Sequence, residues 1–123
     1  MNEKNTVNVN IVDEMKESYG SYSLAVIVGR AIPDLYDGLK PVTRRVLVAM
    51  NSLNLKPSGR YMKAARVDGE TMGRYHPHGG AYGAMVTASQ WWTNNNPLVD
   101  GWGNWGSPTD GPASARYTEA KLT

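Results

Sequence analysis

The last third of the chain is dense in residues that interrupt helices. From residue 94 onward these residues include Asn94 to Asn96, Pro97, Pro108 and Pro112, and Gly101, Gly103, Gly106 and Gly111. A proline inside a helix costs roughly 3 kcal/mol and a glycine about 1 kcal/mol relative to alanine. We therefore predict turns and short extended pieces after Asn94, and we restrict longer helices to the residues before it.

Helical periodicity dominates that earlier part. Apolar residues recur at spacings of three and four in one stripe: Val12, Met15, Tyr19, Tyr22 and Val26. The stripe predicts a helix over about residues 11–29. After an irregular link containing Pro33 and Gly38, Pro41 suits the first position of a second helix. The apolar face of that helix would consist of Val42, Val46, Ala49, Met50 and Leu53.

Two shorter helices are predicted next, joined by a basic connector. Residues 63–72 fit a helix closed by Gly73, and residues 74–79 form the connector. The next helical face comprises Ala81, Ala84, Met85, Ala88 and Trp92. Two short helices with a turn fit a helix-turn-helix, and the glycine-rich segment that follows fits the wing of a winged helix. Because the connector exceeds the usual three or four residues, a plain helical hairpin fits the pattern equally well.

Composition limits the class of protein. A chain of 123 residues holds one domain or a piece of a larger one. Cysteine is absent, which excludes disulfides and thiolate sites and favours the cytoplasm. The longest apolar run, Leu24 to Val28, is too short to span a membrane, so no membrane association is expected. Phenylalanine is also absent, so every aromatic side chain carries a polar atom that needs a partner.

Charge is unevenly distributed. Residues 38–74 hold eight basic and two acidic groups, a net charge of +6, whereas residues 1–37 carry −3 and the remainder −1. The basic residues of this block are Lys40, Arg44, Arg45, Lys56, Arg60, Lys63, Arg66 and Arg74. A concentrated basic block favours a polyanionic partner such as DNA.

Two histidines, His76 and His78, flank a proline in the connector. A zinc site needs three or four ligands, and the chain has no cysteine and no third histidine, so no metal site is predicted here. The imidazoles either bond to backbone or solvent in a turn, or contact phosphates beside Arg74.

Tyr117 follows Arg116 at the end of the glycine-rich stretch. A tyrosine in such a place is most often a half-buried packing residue. A phenol beside a guanidinium is also the minimum set for a reversible phosphotyrosyl bond. A phenol is almost wholly protonated at neutral pH, so that reaction needs a base, a charge or a metal. The chain has no Asp-x-Asp pair for a metal, so help would come from another polypeptide.

Several longer motifs carry a family resemblance. They are Val28-Gly-Arg-Ala-Ile-Pro-Asp, Asp37-Gly-Leu-Lys-Pro-Val-Thr-Arg-Arg-Val-Leu, Ala65-Arg-Val, Gly73-Arg-Tyr-His-Pro-His-Gly, Pro97-Leu-Val-Asp-Gly, Gly103-Asn-Trp-Gly-Ser and Ala115-Arg-Tyr-Thr-Glu-Ala-Lys-Leu. In order and approximate spacing, these resemble the N-terminal part of type IIA DNA topoisomerase breakage-reunion subunits, the family of gyrase A and topoisomerase IV. The resemblance covers the chain from about residue 13 to its end.

The resemblance implies an α+β, mostly helical fold: a winged-helix DNA-gate domain with a glycine-rich wing. Residues 1–10 would be an N-terminal tail, and residues 11–123 the N-terminal part of the breakage-reunion domain. Tyr117 matches the tyrosine that joins the 5′ phosphate of cleaved DNA, and Arg116 its arginine neighbour. Positions matching the DNA-contacting residues of the family are Arg30, Lys40, Arg44, Arg45, His76 and His78. Thr43 stands where the family usually has histidine, which leaves a hydroxyl donor for the same DNA contact.

The resemblance also implies partners. DNA cleavage and resealing would change DNA topology, with Mg²⁺ and ATP both bound by a gyrase B-type subunit, and the full-length family forms homodimers. Family members continue well beyond the tyrosine, so we expect this chain to be truncated relative to them, as a fragment, split-gene product or shortened reading frame, and inactive alone. The alternative is a winged-helix protein that binds DNA without cleaving it.

Overall fold

The computed structural model describes residues 7–123, without the side chains of residues 25–28. The first six residues of the predicted tail therefore lie outside the described residues, and residues 7–10 are exposed and non-helical. Within the described part, no helix combines the length and the apolarity needed to cross a membrane.

Four helices and three short strands follow one another along the chain. They are α1 (Ile11–Ala31), α2 (Pro41–Ser52), β1 (Met62–Lys63), α3 (Ala64–Arg74), α4 (Tyr82–Ser89), β2 (Val99–Trp102) and β3 (Glu119–Leu122). The four predicted helices are confirmed, including Pro41 as the first residue of α2. Mixed helices and a small antiparallel sheet agree with the α+β prediction.

The core lies where α2, α3, α4 and the sheet meet. On α2 the buried residues are Val46, Ala49 and Met50, as its predicted apolar face requires. On α3, Val67 and Thr71 are fully buried one helical turn apart. The Thr71 hydroxyl donates to the Val67 carbonyl at 2.8 Å, so burial leaves this polar group satisfied.

The sheet is antiparallel, with β3 between β1 and β2. Lys63 of β1 and Trp102 of β2 both lie opposite Glu119 of β3. Because β2 and β3 are neighbours, residues 103–118 form a long loop from one to the other. This loop contains most of the glycine-rich segment and ends on Arg116, Tyr117 and Thr118.

Trp105 anchors the start of that loop. Its side chain is buried, and its indole N–H donates to the Trp102 carbonyl at 3.2 Å. The ring covers Gly101 so closely that a Cβ there would come within 2.5 Å of the indole nitrogen. Gly106 has a φ of +91°, the left-handed region that favours glycine, and turns the chain directly after the tryptophan. The glycines therefore shape this loop by permitting close packing and a tight turn.

Asp68 connects α3 to the start of α4. Its carboxylate accepts the backbone N–H of Ala81 at 2.6 Å. Ala81 is the residue before α4 and has no side-chain cap of its own. A carboxylate at this position satisfies a helix-terminal amide and is favoured by the helix dipole. Asp68, although it belongs to the basic block, therefore fixes the relative placement of the two helices.

Two details of the predicted helices are wrong. Gly73 does not close α3, which runs on through Arg74 because the Tyr75 amide still bonds to the Thr71 carbonyl at 2.9 Å. Trp92 does not belong to α4, which ends at Ser89. The Asn94 side chain donates to the Thr87 and Gln90 carbonyls and so takes up acceptors that a longer helix would use.

The apolar stripe on α1 is only partly supported. The helix forms, with its N-terminus capped by the Asn10 side chain, which accepts the Val12 amide at 3.0 Å. However, Val12, Met15, Tyr19 and Tyr22 stay between 52% and 74% exposed, so this face does not join the core. The position of the Val26 side chain lies outside the described residues.

Replacing Asp68 by alanine should lower the free energy of unfolding by about 1 kcal/mol, the usual value of a helix-capping interaction. Chemical denaturation monitored by circular dichroism measures the change. Glu17→Ala, which removes the same charge from an exposed position on α1, serves as the control and should alter stability by less than about 0.5 kcal/mol. Equal stabilities of the two variants would contradict the assigned role of Asp68.

Candidate nucleic-acid interface

A cleft of about 910 Å³ opens beside the N-terminus of α2. Its lining combines basic and aromatic side chains from three separate segments: Arg30, Arg45, His76, His78, Tyr19 and Tyr22. The Pro-containing link brings the end of α1 towards the start of α2, and the connector after α3 supplies the histidines. None of the described residues that line the cleft is acidic. The cleft therefore suits an anionic ligand.

Arg45 and His76 form the best-defined contact in the cleft. Arginine Nη1 lies 2.8 Å from histidine Nδ1. Because a guanidinium only donates, Nδ1 must be the acceptor, so the imidazole is neutral and carries its proton on Nε2. Burial lowers the pKa of His76, with further lowering from the charges of Arg45, His78 and Arg30. The neutral imidazole leaves the positive charge of Arg45 uncompensated.

Arg44, unlike Arg45, forms an ion pair with a carboxylate. Its Nη2 donates to both carboxylate oxygens of Asp37, at 2.7 and 2.6 Å, and lies 3.8 Å from Asp34. The hydrogen bond from Arg44 is the main reason that the pKa of Asp37 is lowered. The pair is solvent-exposed and joins the link between α1 and α2 to the first turn of α2. A phosphate that binds Arg44 would have to compete with Asp37.

The other predicted DNA-binding residues are spread along the surface. Lys40 is exposed at the N-terminus of α2, and Thr43 is half-buried one turn later. Arg66 is exposed on α3. Two residues have acidic partners in the chain: Lys63 pairs with Glu119 at 3.0 Å, and Arg74 with Glu70 at 2.8 Å. Only Arg30, Arg45, His76 and His78 of the predicted set meet in the cleft.

Tyr117 lies in a different place, at the end of the loop between β2 and β3. Its side chain is 67% exposed, which contradicts a packing role. The guanidinium carbon of Arg116 lies 5.3 Å from the centre of the Tyr117 ring, within the range of a cation–π interaction. The phenol and the guanidinium are thus both presented to solvent at one point on the surface.

Tyr117 and the cleft are at opposite ends of α3. The amides of Ala64 and Ala65, at the start of α3, donate to the carbonyls of Thr118 and Ala115 at 2.9 and 3.1 Å. His76 follows the other end of the helix. An eleven-residue helix spans about 16 Å. The structure therefore separates the predicted nucleophile from the histidine pair by the length of one helix.

Sequence reasoning missed two components of this surface. Tyr19 and Tyr22 line the cleft, although their helical spacing indicates a stripe of core residues. Asp37 of the link accepts hydrogen bonds from Arg44 in the first turn of α2, seven residues later in the chain. The spacing of the tyrosines is visible in the sequence. Pro33 and Gly38 mark an irregular link before α2, but nothing in the sequence shows that this link brings Asp37 back to Arg44.

Potential metal ligands are scattered over the described residues. Among them, no group of three or more histidine, cysteine, aspartate or glutamate side chains is placed to hold a metal ion. Glu119, the carboxylate nearest Tyr117 in sequence, pairs with Lys63 instead. The described residues of this chain therefore do not form a metal site from three or more of their own side chains.

Comparison with known proteins identifies the family. A family model that describes the A subunit of DNA gyrase/topoisomerase IV matches residues 30–123. The chain belongs to this family. The predicted resemblance is thereby confirmed, and the matched range includes the basic cleft residues and the Arg116–Tyr117 pair.

Individual relatives support the same assignment. The DNA gyrase A subunit of Streptococcus pyogenes serotype M3 is 50% identical, and that of Streptococcus pneumoniae serotype 4 is 52% identical, over 126 aligned positions that cover the whole chain. The DNA gyrase A subunit of Chlamydia muridarum is 54% identical over 93% of the chain. The chain spans only 14–15% of the length of these relatives.

The lowered pKa of His76 predicts a pH dependence of stability. Below its ordinary pKa of about 6.5 the unfolded chain binds more protons than the folded one, so folding free energy is lost as the pH falls. We expect the free energy of unfolding to drop between about pH 7.5 and about pH 5, and His76→Asn, which keeps an acceptor for Arg45, to reduce that drop. Denaturant titrations at both pH values measure it.

The control is His78→Asn, which removes the neighbouring, exposed histidine. This variant should retain most of the pH-dependent loss of stability. If both variants lose stability with pH as the wild-type chain does, His76 is not the group responsible.

Proposed function

We propose that this chain is a DNA-gate segment of a type IIA topoisomerase, which cleaves and reseals duplex DNA through a reversible bond between Tyr117 and a 5′ phosphate. The observation that carries the proposal is the exposed phenol of Tyr117 with the guanidinium of Arg116 beside it. Family membership supports it, since the matched residues include both side chains. Passage of one duplex through another would require the remainder of a gyrase A-type subunit, in the form of a homodimer, whereas the attachment step proposed here would require only this chain with a gyrase B-type subunit.

The chemical step is a transesterification. The phenolic oxygen of Tyr117 attacks phosphorus in line, its proton passes to a base, the new O–P bond forms and the bond to the 3′ oxygen breaks. The 3′ oxygen leaves as a hydroxyl after taking up a proton. Because one phosphodiester replaces another, resealing by the 3′ hydroxyl needs no external energy. Arg116 would stabilise the negative charge that develops on the phosphate oxygens.

The basic cleft would hold the DNA backbone. Arg45 keeps its full positive charge, and neutral His76 can donate from Nε2 to a phosphate oxygen while Nδ1 accepts from Arg45. Arg30 and His78 complete the cationic lining. These contacts address phosphates, so they would position DNA with little sequence preference.

We assign α3 and α4 to a helix-turn-helix and the segment from β2 to β3 to the wing of a winged helix. The two helices contact each other through Asp68, and the connector between them is residues 75–81. The antiparallel pairing of β2 with β3 around a long glycine-rich loop supports the wing. This connector is longer than the three or four residues usual in a helix-turn-helix, and its length also fits a plain helical hairpin.

Membership of the family also suggests partners. We propose that a gyrase B-type subunit holds Mg²⁺ and ATP, and no step of this chain runs through either. A cytoplasmic location is proposed from the absence of cysteine.

A second candidate function is DNA binding without cleavage. It is favoured by one observation: this chain forms the basic cleft from its own residues, whereas residues 7–123 contain no group of three or more potential metal ligands that could assist Tyr117. Trapping DNA with detergent after mixing the chain with Mg²⁺ and a gyrase B-type subunit distinguishes the two candidates. Covalent protein–DNA adducts support the topoisomerase, and saturable binding without adducts supports the binding protein.

If the cleft contacts phosphates, the affinity for duplex DNA should fall steeply as the salt concentration rises. The reason is that basic side chains bound to phosphates displace counterions from the DNA. Arg45→Ala should reduce the slope of log affinity against log salt by about one unit. Lys56→Ala removes one positive charge from the exposed segment that follows the opposite end of α2 and should leave the slope nearly unchanged. Fluorescence anisotropy at several salt concentrations measures the slopes, and equal slopes for the two variants would exclude the cleft as the DNA site.

Tyr117→Phe should abolish covalent attachment while DNA affinity stays within about twofold, because only the nucleophilic oxygen is removed. Arg116→Ala should keep the nucleophile and slow attachment roughly 10² to 10³-fold. Both are measured by detergent trapping in the reconstituted assembly, with Tyr36→Phe, an exposed tyrosine in the link before α2, as the control.

Adducts formed by Tyr117→Phe would place the nucleophile elsewhere and refute the mechanism. Tyr75 would then be the first alternative. Tyr82 is less suitable, since its hydroxyl already donates to the Ala113 carbonyl at 2.7 Å.

A further inference from the structure

The Tyr82 side chain reaches from the first residue of α4 to the loop that carries Tyr117. Its ring lies against Trp105, with the ring centres 5.7 Å apart. Its hydroxyl oxygen is 2.7 Å from the Ala113 carbonyl oxygen and 3.0 Å from the hydroxyl oxygen of Thr118. One phenolic oxygen therefore connects two points of the loop that are five residues apart.

The direction of both hydrogen bonds can be assigned. A carbonyl oxygen only accepts, so the single proton of the Tyr82 hydroxyl points to Ala113. The Thr118 hydroxyl must then be the donor in its contact with Tyr82. Thr118 is fully buried, and this bond satisfies its hydroxyl. Removing the Tyr82 hydroxyl thus leaves the Ala113 carbonyl and the buried Thr118 hydroxyl without this partner, whereas removing the Thr118 hydroxyl breaks only the second of the two hydrogen bonds.

Ala113 and Thr118, the two residues that contact the Tyr82 hydroxyl, lie on either side of Arg116 and Tyr117 in the sequence. The Ala113 amide donates to the Asn104 carbonyl at 3.0 Å, and the Thr118 carbonyl accepts the Ala64 amide at 2.9 Å. Between them the Tyr117 amide donates to the Ser114 carbonyl at 2.9 Å. The Tyr117 ring itself is mostly exposed, so its place depends on this backbone rather than on packing of the ring.

We propose that Tyr82, acting through Thr118 and Ala113, is a positioning residue for the nucleophile Tyr117. The inference rests on the proposed function, because it concerns where the phenolic oxygen is held for attack on phosphorus. Without the Tyr82 hydroxyl, segment 113–118 loses its direct hydrogen bonds to α4 and Tyr117 samples a wider range of positions. A displacement of about 1 Å at a reacting atom costs on the order of 10²-fold in rate.

The first test measures covalent attachment at saturating DNA, with the chain assembled with Mg²⁺ and a gyrase B-type subunit. Tyr82→Phe and Thr118→Val should each slow attachment by about 10 to 100-fold, while the Kd for DNA changes by less than about twofold. The double variant should be no slower than Tyr82→Phe, because that substitution already removes both hydrogen bonds, including the one that Thr118→Val removes. Thr118→Ser, which keeps the hydroxyl, should restore most of the rate.

Tyr61→Phe is the matched control. Tyr61 is also half-buried, and its hydroxyl donates to Asp100 at 2.7 Å, on the sheet and outside segment 113–118. This variant loses one comparable hydrogen bond and should attach DNA at the wild-type rate.

The second test does not depend on activity. Hydrogen exchange of the full chain without DNA should show the Tyr117 amide exchanging about five to ten times faster in Tyr82→Phe and in Thr118→Val. The amides of α2 should keep their wild-type protection, which also shows that the variants are folded.

Each outcome decides the inference. Unchanged exchange at Tyr117, or unchanged attachment rates alongside active wild-type protein, overturns it. If the variants lose both the exchange protection of the α2 amides and the affinity for DNA, Tyr82 has a purely structural role, and this result also overturns the inference. If the wild-type assembly forms no adducts while exchange in segment 113–118 responds to both variants, the proposed function is what fails, and the inference falls with it. Slowed attachment with intact binding, rescue by Thr118→Ser and faster local exchange support it.

Discussion

The hydrogen bonds from the first amides of α3 to the loop before β3 determine how the rest of the surface is arranged. A helix begins with backbone amides that have no partner within the helix. In this chain the amides of Ala64 and Ala65 find theirs in the carbonyls of Thr118 and Ala115. The same helix ends with the Thr71 carbonyl accepting the amides of both Tyr75 and His76. One rigid element therefore fixes the loop that carries Tyr117 at its start and the histidine connector at its end.

Much of the helical part could be predicted because its signals are local. Pro41 has no amide to donate, which suits the first turn of α2, and the apolar residues of that helix recur with its period. The end of α4 could not be placed in the same way. Trp92 continues the apolar period, but the Asn94 side chain competes for the last carbonyls, and this competition depends on a turn that periodicity does not encode. Gly73 similarly stays helical since the next amide still finds its acceptor.

The types of residue that form the site could be predicted from the sequence better than their arrangement in space. Arg45, His76 and Arg30 come from three segments, and only the fold brings them to one cleft. The +6 charge of residues 38–74 overstated the positive surface, because two of the compensating acids lie outside that block in sequence. Asp37 pairs with Arg44, and Glu119 pairs with Lys63 across the sheet. Pairing of this kind is a property of tertiary structure and cannot be counted from a charge profile.

The contrast between Arg44 and Arg45 shows how neighbouring arginines acquire different roles. Arg44 meets a carboxylate, so its charge is largely neutralised locally and its contacts hold the link in front of α2. Arg45 meets an imidazole that accepts a hydrogen bond without contributing negative charge. Lowering the pKa of His76 keeps that imidazole neutral, and a protonated form would repel Arg45 and could no longer accept from it. The cleft thus retains an oriented guanidinium with its full charge, which is the combination that binding a phosphate requires.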